Sequence, residues 1–94
     1  MEGLARHKVP GGKLVTVKIK FGERIDSIQI LGDFFLHPED SLEKIEKSLE
    51  GMEITSSESE LSKRIAEIAQ SEKIEMIGVT PQSIAQTIIM AVKK

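Results

Sequence analysis

The stretch KLVTVKIKF, residues 13–21, alternates between apolar and polar side chains. Alternation with a period of two is typical of a strand in an antiparallel sheet that buries one face. The Gly-Glu pair at 22–23 predicts a two-residue type II′ hairpin turn. Residues 24–32 then return as a second strand with the same alternation, and a short strand at residues 4–8 would complete a three-stranded sheet.

The remainder of the chain has the periodicity of three helices. Pro38 suits the first position of a helix that Gly51 would end. The S-x-x-E spacing at 57–60 predicts a capping box at the start of the second helix. A Thr-Pro pair at 80–81 predicts the start of a third, apolar helix. Strands followed by helices indicate an α+β fold, with an antiparallel sheet of three strands, or at least two, and about three helices packed over one face.

Length and composition exclude several classes of protein. The 94 residues are expected to form a single domain, 1–94. The absence of cysteine excludes disulfides, thiolate metal sites and thiol nucleophiles. Three aromatic residues and a net charge of −2 argue against a nucleic-acid binder. No apolar run approaches the roughly 20 residues of a membrane span and no signal peptide is evident, so a cytoplasmic protein is expected.

The charges are distributed unevenly. Residues 1–24 contain six basic and two acidic residues, a net +4, whereas residues 25–94 contain seven basic and thirteen acidic residues, a net −6. The basic segment is either a solvated strand face or a surface for an anionic partner or ligand. No catalytic or metal-binding constellation is evident, because the two histidines, His7 and His37, lack partners at ligand spacing.

The segment KVPGGK at residues 8–13 is the most suggestive local motif. Its glycines would let the backbone approach a ligand closely, and its lysines could meet a phosphate. The P-loop spacing is absent. The segment is therefore either a turn between edge strands or a mobile basic loop that reaches a nucleotide site on a neighbouring chain. In the second case the nucleotide-proximal residues would be Lys8, Gly11, Gly12 and Lys13.

Several segments together resemble the C-terminal domain of lipoate–protein ligases. They are KVPGGKLV at 8–15, IQILGDFF at 28–35, the Pro-Glu helix start at 38–39, LEG at 49–51 and IGVT at 77–80. No single motif is decisive, but their order and spacing extend over nearly the whole chain.

The resemblance implies a small accessory domain with a fold similar to that of SufE/NifU-type scaffold proteins. In this family a larger catalytic domain binds ATP, a divalent metal (Mg²⁺) and lipoate, forms lipoyl-AMP and transfers the lipoyl group to a lysine. No catalytic domain is present in this chain. It is therefore expected to be the separate small subunit of a two-chain ligase, inactive alone, with no cofactor of its own and a catalytic subunit as its heterodimer partner.

Lipoyl-acceptor domains of 2-oxoacid dehydrogenase complexes and the glycine cleavage H protein would be indirect partners. The candidate interface with the catalytic subunit comprises Asp33, Phe34, Phe35 and His37. Either one phenylalanine lies in the core and the other covers a helix, or one is exposed and anchors the partner. Two alternatives to a ligase subunit stay open: a stand-alone binding or homodimerising module, and an iron–sulfur-type scaffold, which the absence of cysteine disfavours.

Overall fold

The computed structural model of the protein describes residues 1–9, 11 and 13–93. The elements in chain order are β1 (Glu2–Lys8), β2 (Leu14–Phe21), β3 (Ile25–Gly32), β4 (Phe35–His37), α1 (Ser41–Leu49), α2 (Glu58–Ser71), β5 (Glu75–Ile77) and α3 (Pro81–Lys93). Strands β1, β2 and β3 form an antiparallel sheet in that order, and β4 and β5 form a separate two-stranded ribbon. The predicted α+β class, the three-stranded sheet and the three helices are confirmed.

The helices cover one face of the sheet. Helix α3 packs on β1 and β2, helix α1 packs on β3, and α2 lies against both of the other helices. The alternation in β2 places Val17 and Ile19 on the buried face, where Ile88 of α3 is also buried. Burying a large aliphatic side chain stabilises the fold by about 1.5–3 kcal/mol, so each of these buried residues contributes to the driving force for folding.

Two of the predicted helix starts are confirmed in detail. The Ser57 hydroxyl accepts the backbone N–H of Glu60 at 3.1 Å, and the Glu60 carboxylate accepts the backbone N–H of Ser57 at 2.9 Å. This reciprocal pair is a capping box at the start of α2. Before α3, the Thr80 hydroxyl accepts the backbone N–H of Ser83 at 3.1 Å. Both caps satisfy N–H groups that no residue within the helix can accept.

The predicted start of the first helix is wrong. Helix α1 begins at Ser41, and Pro38 lies in the turn before it, where its carbonyl accepts the Ser41 N–H at 3.0 Å. Asp40 occupies the N-cap position without a side-chain cap hydrogen bond. The proline therefore forms part of the connection between the ribbon and the helix and is not the first helical residue.

The predicted type II′ turn is also wrong. Phe21 pairs with Ile25, which leaves three residues in the turn, and Gly22 lacks the positive φ that a type II′ turn requires. The cause is a tertiary contact: Ile25 donates its N–H to Met52 and accepts the N–H of Gly51, each at 2.9 Å. The segment after α1 thus holds the end of the hairpin in a wider turn.

Strand β3 is an edge strand whose backbone is partly capped by a side chain. The Ile30 N–H donates to the Glu46 carboxylate of α1 at 2.7 Å. Partial burial raises the pKa of Glu46. The hydrogen bond from the Ile30 N–H lowers this pKa, and the neighbouring carboxylates of Glu43 and Glu50 raise it. A carboxylate on an exposed edge also blocks pairing with another strand. Among the residues described, no helix has the length and apolarity needed to cross a membrane.

Candidate functional site

Three turn segments meet at one end of the molecule, and we call this region the ribbon edge; its described residues are 8, 9, 11, 13 and 14, then 32–38, then 75–80. The Leu14 N–H donates to the Asp33 carboxylate at 2.8 Å, which joins the first turn to the second. Phe35 pairs with Ile77 across the ribbon, which joins the second turn to the third. The ribbon edge therefore brings together two groups of candidate residues that are separated in sequence.

The aliphatic part of Lys13 lies directly over Gly78. A Cβ built on Gly78 would lie 3.3 Å from both Cγ and Cε of Lys13, and Gly78 has a φ of +87°, which side-chain-bearing residues rarely adopt. The glycine thus allows both the turn and the close approach of the lysine. This contact orients Lys13 along the turn between β5 and α3.

The two adjacent phenylalanines have different environments. Phe34 is half-buried against the core, and its ring covers Gly32, where a Cβ would overlap ring atoms. Phe35 is 66% exposed and its cross-strand partner Ile77 is 47% exposed. Because directly paired residues share a face, the two side chains form an exposed apolar pair. The interpretation in which one phenylalanine is exposed agrees with this arrangement.

The remaining candidate residues occupy three different positions. His37 and Glu75 pair across the ribbon, both exposed, on the same side as Phe35. Asp33 has a structural role in fixing the start of β2 through Leu14. Lys8 lies at the end of β1 and pairs with Leu14, next to the turn that carries Lys13.

A shallow groove of about 490 Å³ lies between the first turn and the start of α3. It is lined by Gly11, Lys13, Met76, Thr80 and Ser83, with neighbouring residues of the two turns. Gly11 has a φ of +97° and nothing within 4 Å of a built Cβ, so the backbone conformation and not packing favours glycine there. Gly12, the remaining candidate of this motif, lies outside the described residues.

Lys13 supplies the cationic group of the groove. The Thr80 and Ser83 hydroxyls bond to each other at 3.2 Å and to the backbone of the α3 cap, so their hydrogen bonds are made within the turn. The salt bridges found in the described part of the chain involve Lys44 and Lys47 on α1, and none involves Lys13. The Lys13 ammonium group is therefore available to an anionic ligand or partner. Across residues 1–9, 11 and 13–93 no group of three or more metal-ligating side chains comes together.

Comparison with known proteins assigns the family. Residues 5–88 match the family described as the C-terminus of bacterial lipoate protein ligases. The chain belongs to this family. A structure from Thermoplasma acidophilum, described as a bi-partite lipoate protein ligase and its E2 lipoyl domain in an archaeal lipoylation system, contains a similar chain. The two chains are 29% identical over 94% of each, with a TM-score of 0.76. No curated protein gives a significant match.

Membership of the lipoate protein ligase C-terminal family confirms the sequence-based resemblance. Ile77 and the ribbon that exposes it are not predicted by the sequence, because a strand of three residues is too short to display a period of two. The one available signal was the isoleucine immediately before Gly78, an apolar residue in a turn where polar residues are usual.

Proposed function

We propose that this chain is the accessory subunit of a two-chain lipoate protein ligase. With a catalytic chain it would be required for the ATP-dependent conversion of lipoate to lipoyl-AMP, and so for lipoylation of acceptor proteins in the cytoplasm. The observation that carries the proposal is the match to the ligase C-terminal family over residues 5–88. The likeness to a chain of a bi-partite ligase over 94% of both chains supports a separate subunit.

In this proposal the catalytic chain holds ATP, Mg²⁺ and lipoate, and the accessory chain closes over them. Adenylation requires the carboxylate and the phosphates to be held in line and shielded from water. The groove presents the Lys13 ammonium group, held by its contact with Gly78, at the surface that would face the nucleotide. A fixed cation there would stabilise the charge that develops on the phosphates.

The exposed pair of Phe35 and Ile77 is the proposed anchor of the ribbon edge on the catalytic chain. The Phe35 ring is 66% exposed in the free subunit, so its burial in a pocket of the partner would remove a large apolar area from water and favour binding. Truncating such an anchor typically costs about 2 kcal/mol or more of binding free energy, which is a loss of about 30-fold in affinity. His37 and Asp33 would lie around this anchor, and the proposed acceptors are lipoyl domains of 2-oxoacid dehydrogenase complexes and the glycine cleavage H protein.

The proposal is tested by reconstitution. The purified chain is mixed with its cognate catalytic chain, and pyrophosphate release from ATP is followed with lipoate present, alongside lipoylation of an acceptor domain. We expect both activities to appear or rise strongly on mixing, with neither from this chain alone. A catalytic chain that is equally active without this subunit would refute the proposal.

The role of Lys13 has a separate test. Lys13→Ala should slow lipoyl-AMP formation more than transfer from preformed lipoyl-AMP, because the ammonium group would act on the phosphates. Lys63→Ala, which removes an exposed lysine on α2, serves as the control for loss of one positive charge. Adenylation by Lys13→Ala at the rate of the control would remove Lys13 from the mechanism without affecting the accessory function.

The exposed pair also supports a second candidate function, that of a homodimerising module. Two copies of the chain would bury Phe35 and Ile77 against each other. Analytical ultracentrifugation of the isolated chain separates the two functions. A stable homodimer that does not exchange for the catalytic chain would favour the module over the ligase subunit.

A further inference from the structure

The sheet has a second face, opposite the helices, and the register of the strands determines which side chains it carries. Leu4 pairs with Lys18, and Thr16 pairs with both Arg6 and Leu31. Directly paired residues share a face, so all of these side chains lie together on the side that no helix covers. We call this surface the open face; it also includes Lys8 and Lys20.

The open face is strongly basic. Four of the six cations of residues 1–24 lie on it, namely Arg6, Lys8, Lys18 and Lys20, with Glu2 as the one carboxylate paired across the strands. In the part of the chain that the structure describes, every salt bridge is on the helical side, so none of these four cations forms a salt bridge, although Lys20 pairs across the strands with Glu2. These cations share one face without standing directly opposite one another, and their summed positive potential favours an acidic partner surface.

The open face is also apolar between its charges. Leu4, Leu14 and Leu31 are each 39–41% exposed on a face where antiparallel sheets usually carry polar side chains. Thr16, at the centre, is only 8% exposed, because its neighbours cover it. Of these residues, Leu4 lines a concavity of about 550 Å³, whose other lining residues include Glu2, Lys18 and Lys20. A face that carries leucines between lysines is complementary to the surface of a folded protein that carries carboxylates and apolar side chains.

Two other occupants fit less well. A nucleic acid would use the cations, but the open face has no aromatic side chain on which a base could stack, and phosphates would gain nothing from the leucines. A second copy could offer its acidic helical layer, since residues 25–94 have a net charge of −6. Such a contact joins two different surfaces, so it would not give a two-fold dimer; it would give a ring if the rotation closes and an open chain of molecules if it does not.

The open face is continuous with the ribbon edge. Lys8 and Leu14 pair at the end of the sheet where the turn carrying Lys13 begins. Leu14 is in turn bound to Asp33, at the end of the strand that carries Leu31. A single partner can therefore cover the ribbon edge and the open face together.

We propose that the open face is the main docking surface for the catalytic chain, which meets it through an acidic surface with apolar side chains opposite the leucines. This inference rests on the proposed ligase function and adds to it the surface and the chemistry of the contact. The ribbon edge then lies at the margin of the interface, where Lys13 reaches towards the nucleotide. Charge attraction of this kind mainly accelerates association and weakens as salt is added.

The test compares two double variants that change the net charge by the same amount. K18E/K20E reverses the charge of the open face, and K63E/K93E reverses two exposed lysines on the helical side. Far-ultraviolet circular dichroism confirms that each variant is folded. Affinity for the purified cognate catalytic chain is measured by titration calorimetry at about 50 and 200 mM NaCl, a range over which surface charges become screened.

We expect K18E/K20E to lose at least about tenfold in affinity at the lower salt concentration, while K63E/K93E stays within about twofold of the wild type. The salt dependence of binding should be steep for the wild type and flat for K18E/K20E. Leu31→Ser, which changes no charge, should weaken binding about fivefold if the leucines are buried in the interface.

Three outcomes would overturn the inference. If the wild type binds and K18E/K20E binds equally well, the open face is not the docking surface, although the ligase function stands. If the wild type binds no catalytic chain, both the inference and the proposed function fail. If the wild type binds phosphatidylserine vesicles or a single-stranded oligonucleotide more tightly than the catalytic chain, and K18E/K20E loses only that binding, the partner is a different one.

Discussion

Replacing Gly3 by alanine tests the close approach between β1 and α3. A Cβ at Gly3 in β1 would overlap the carbonyl oxygen of Ala91 in α3 and would lie 2.9 Å from the carbonyl carbon of the same residue. It would also lie 3.3 Å from Cγ2 of Ile19. Gly3 does not have a positive φ, so the backbone itself accepts alanine, and the cost of Gly3→Ala is steric.

The magnitude follows from what the new methyl group meets. Overpacking typically costs about 1–3 kcal/mol, and the lower values apply when a flexible side chain can move aside. Here the obstacle is the backbone of a helix residue that is fully buried, so α3 itself must shift. We therefore expect a loss of about 2–3 kcal/mol, which for a domain of this size lowers Tm by roughly 10–20 °C.

The matched control is Gly22→Ala. A Cβ at Gly22 has nothing within 4 Å, and its φ is not positive, so alanine should be neutral or stabilising by up to about 1 kcal/mol. Urea and thermal unfolding of both variants are followed by circular dichroism. Equal free energies of unfolding for the two variants, to within about 0.5 kcal/mol, would refute the close contact between β1 and α3.

Two further predictions concern polar groups of the helices. The raised pKa of Glu46 means that its folded form binds a proton more readily than its unfolded form, so its contribution to stability is present at low pH and is lost as the pH rises through the folded pKa. Glu46→Gln keeps an acceptor for the Ile30 N–H. Its free energy of unfolding relative to that of the wild type, measured in urea, should increase as the pH rises from about 4 to about 7. A difference that is constant with pH, or of opposite sign, would contradict this cause. Ser57→Ala removes the hydroxyl that caps α2 and should lower Tm by about 4–8 °C, whereas Ser57→Asp should restore most of the loss; an alanine variant with unchanged Tm would show that the cap does not contribute.

The sequence predicted those features that arise from neighbouring residues. The alternation of residues 13–21 predicted β2, and the capping box at Ser57 and Glu60 predicted the start of α2 within one residue. The Thr80 cap likewise predicted α3. Each of these signals lies within a few residues, since pleating and capping depend on side chains two to four positions apart.

The sequence did not predict features that require residues far apart in the chain. The Gly-Glu pair at 22–23 predicts a type II′ turn, but the sequence does not predict the pairing of Ile25 with residues 51–52, which widens the turn. Pro38 likewise suits the first position of a helix, but the sequence does not predict the ribbon that precedes α1, because that ribbon pairs residues 35–37 with the distant residues 75–77. Local preference favoured one conformation at both positions, and long-range hydrogen bonds selected another.

By itself, the sequence determined the three strands of the sheet, the three helices and their apolar faces, and its motifs resemble the family to which the chain belongs. Only the tertiary structure decided the arrangement of the candidate surfaces: Lys13 over Gly78, Phe35 beside Ile77, and four cations with three leucines on the open face. The physical reason is that a side-chain pattern fixes which side of a strand is buried, whereas the neighbours of the exposed side depend on strand order, register and long-range contacts.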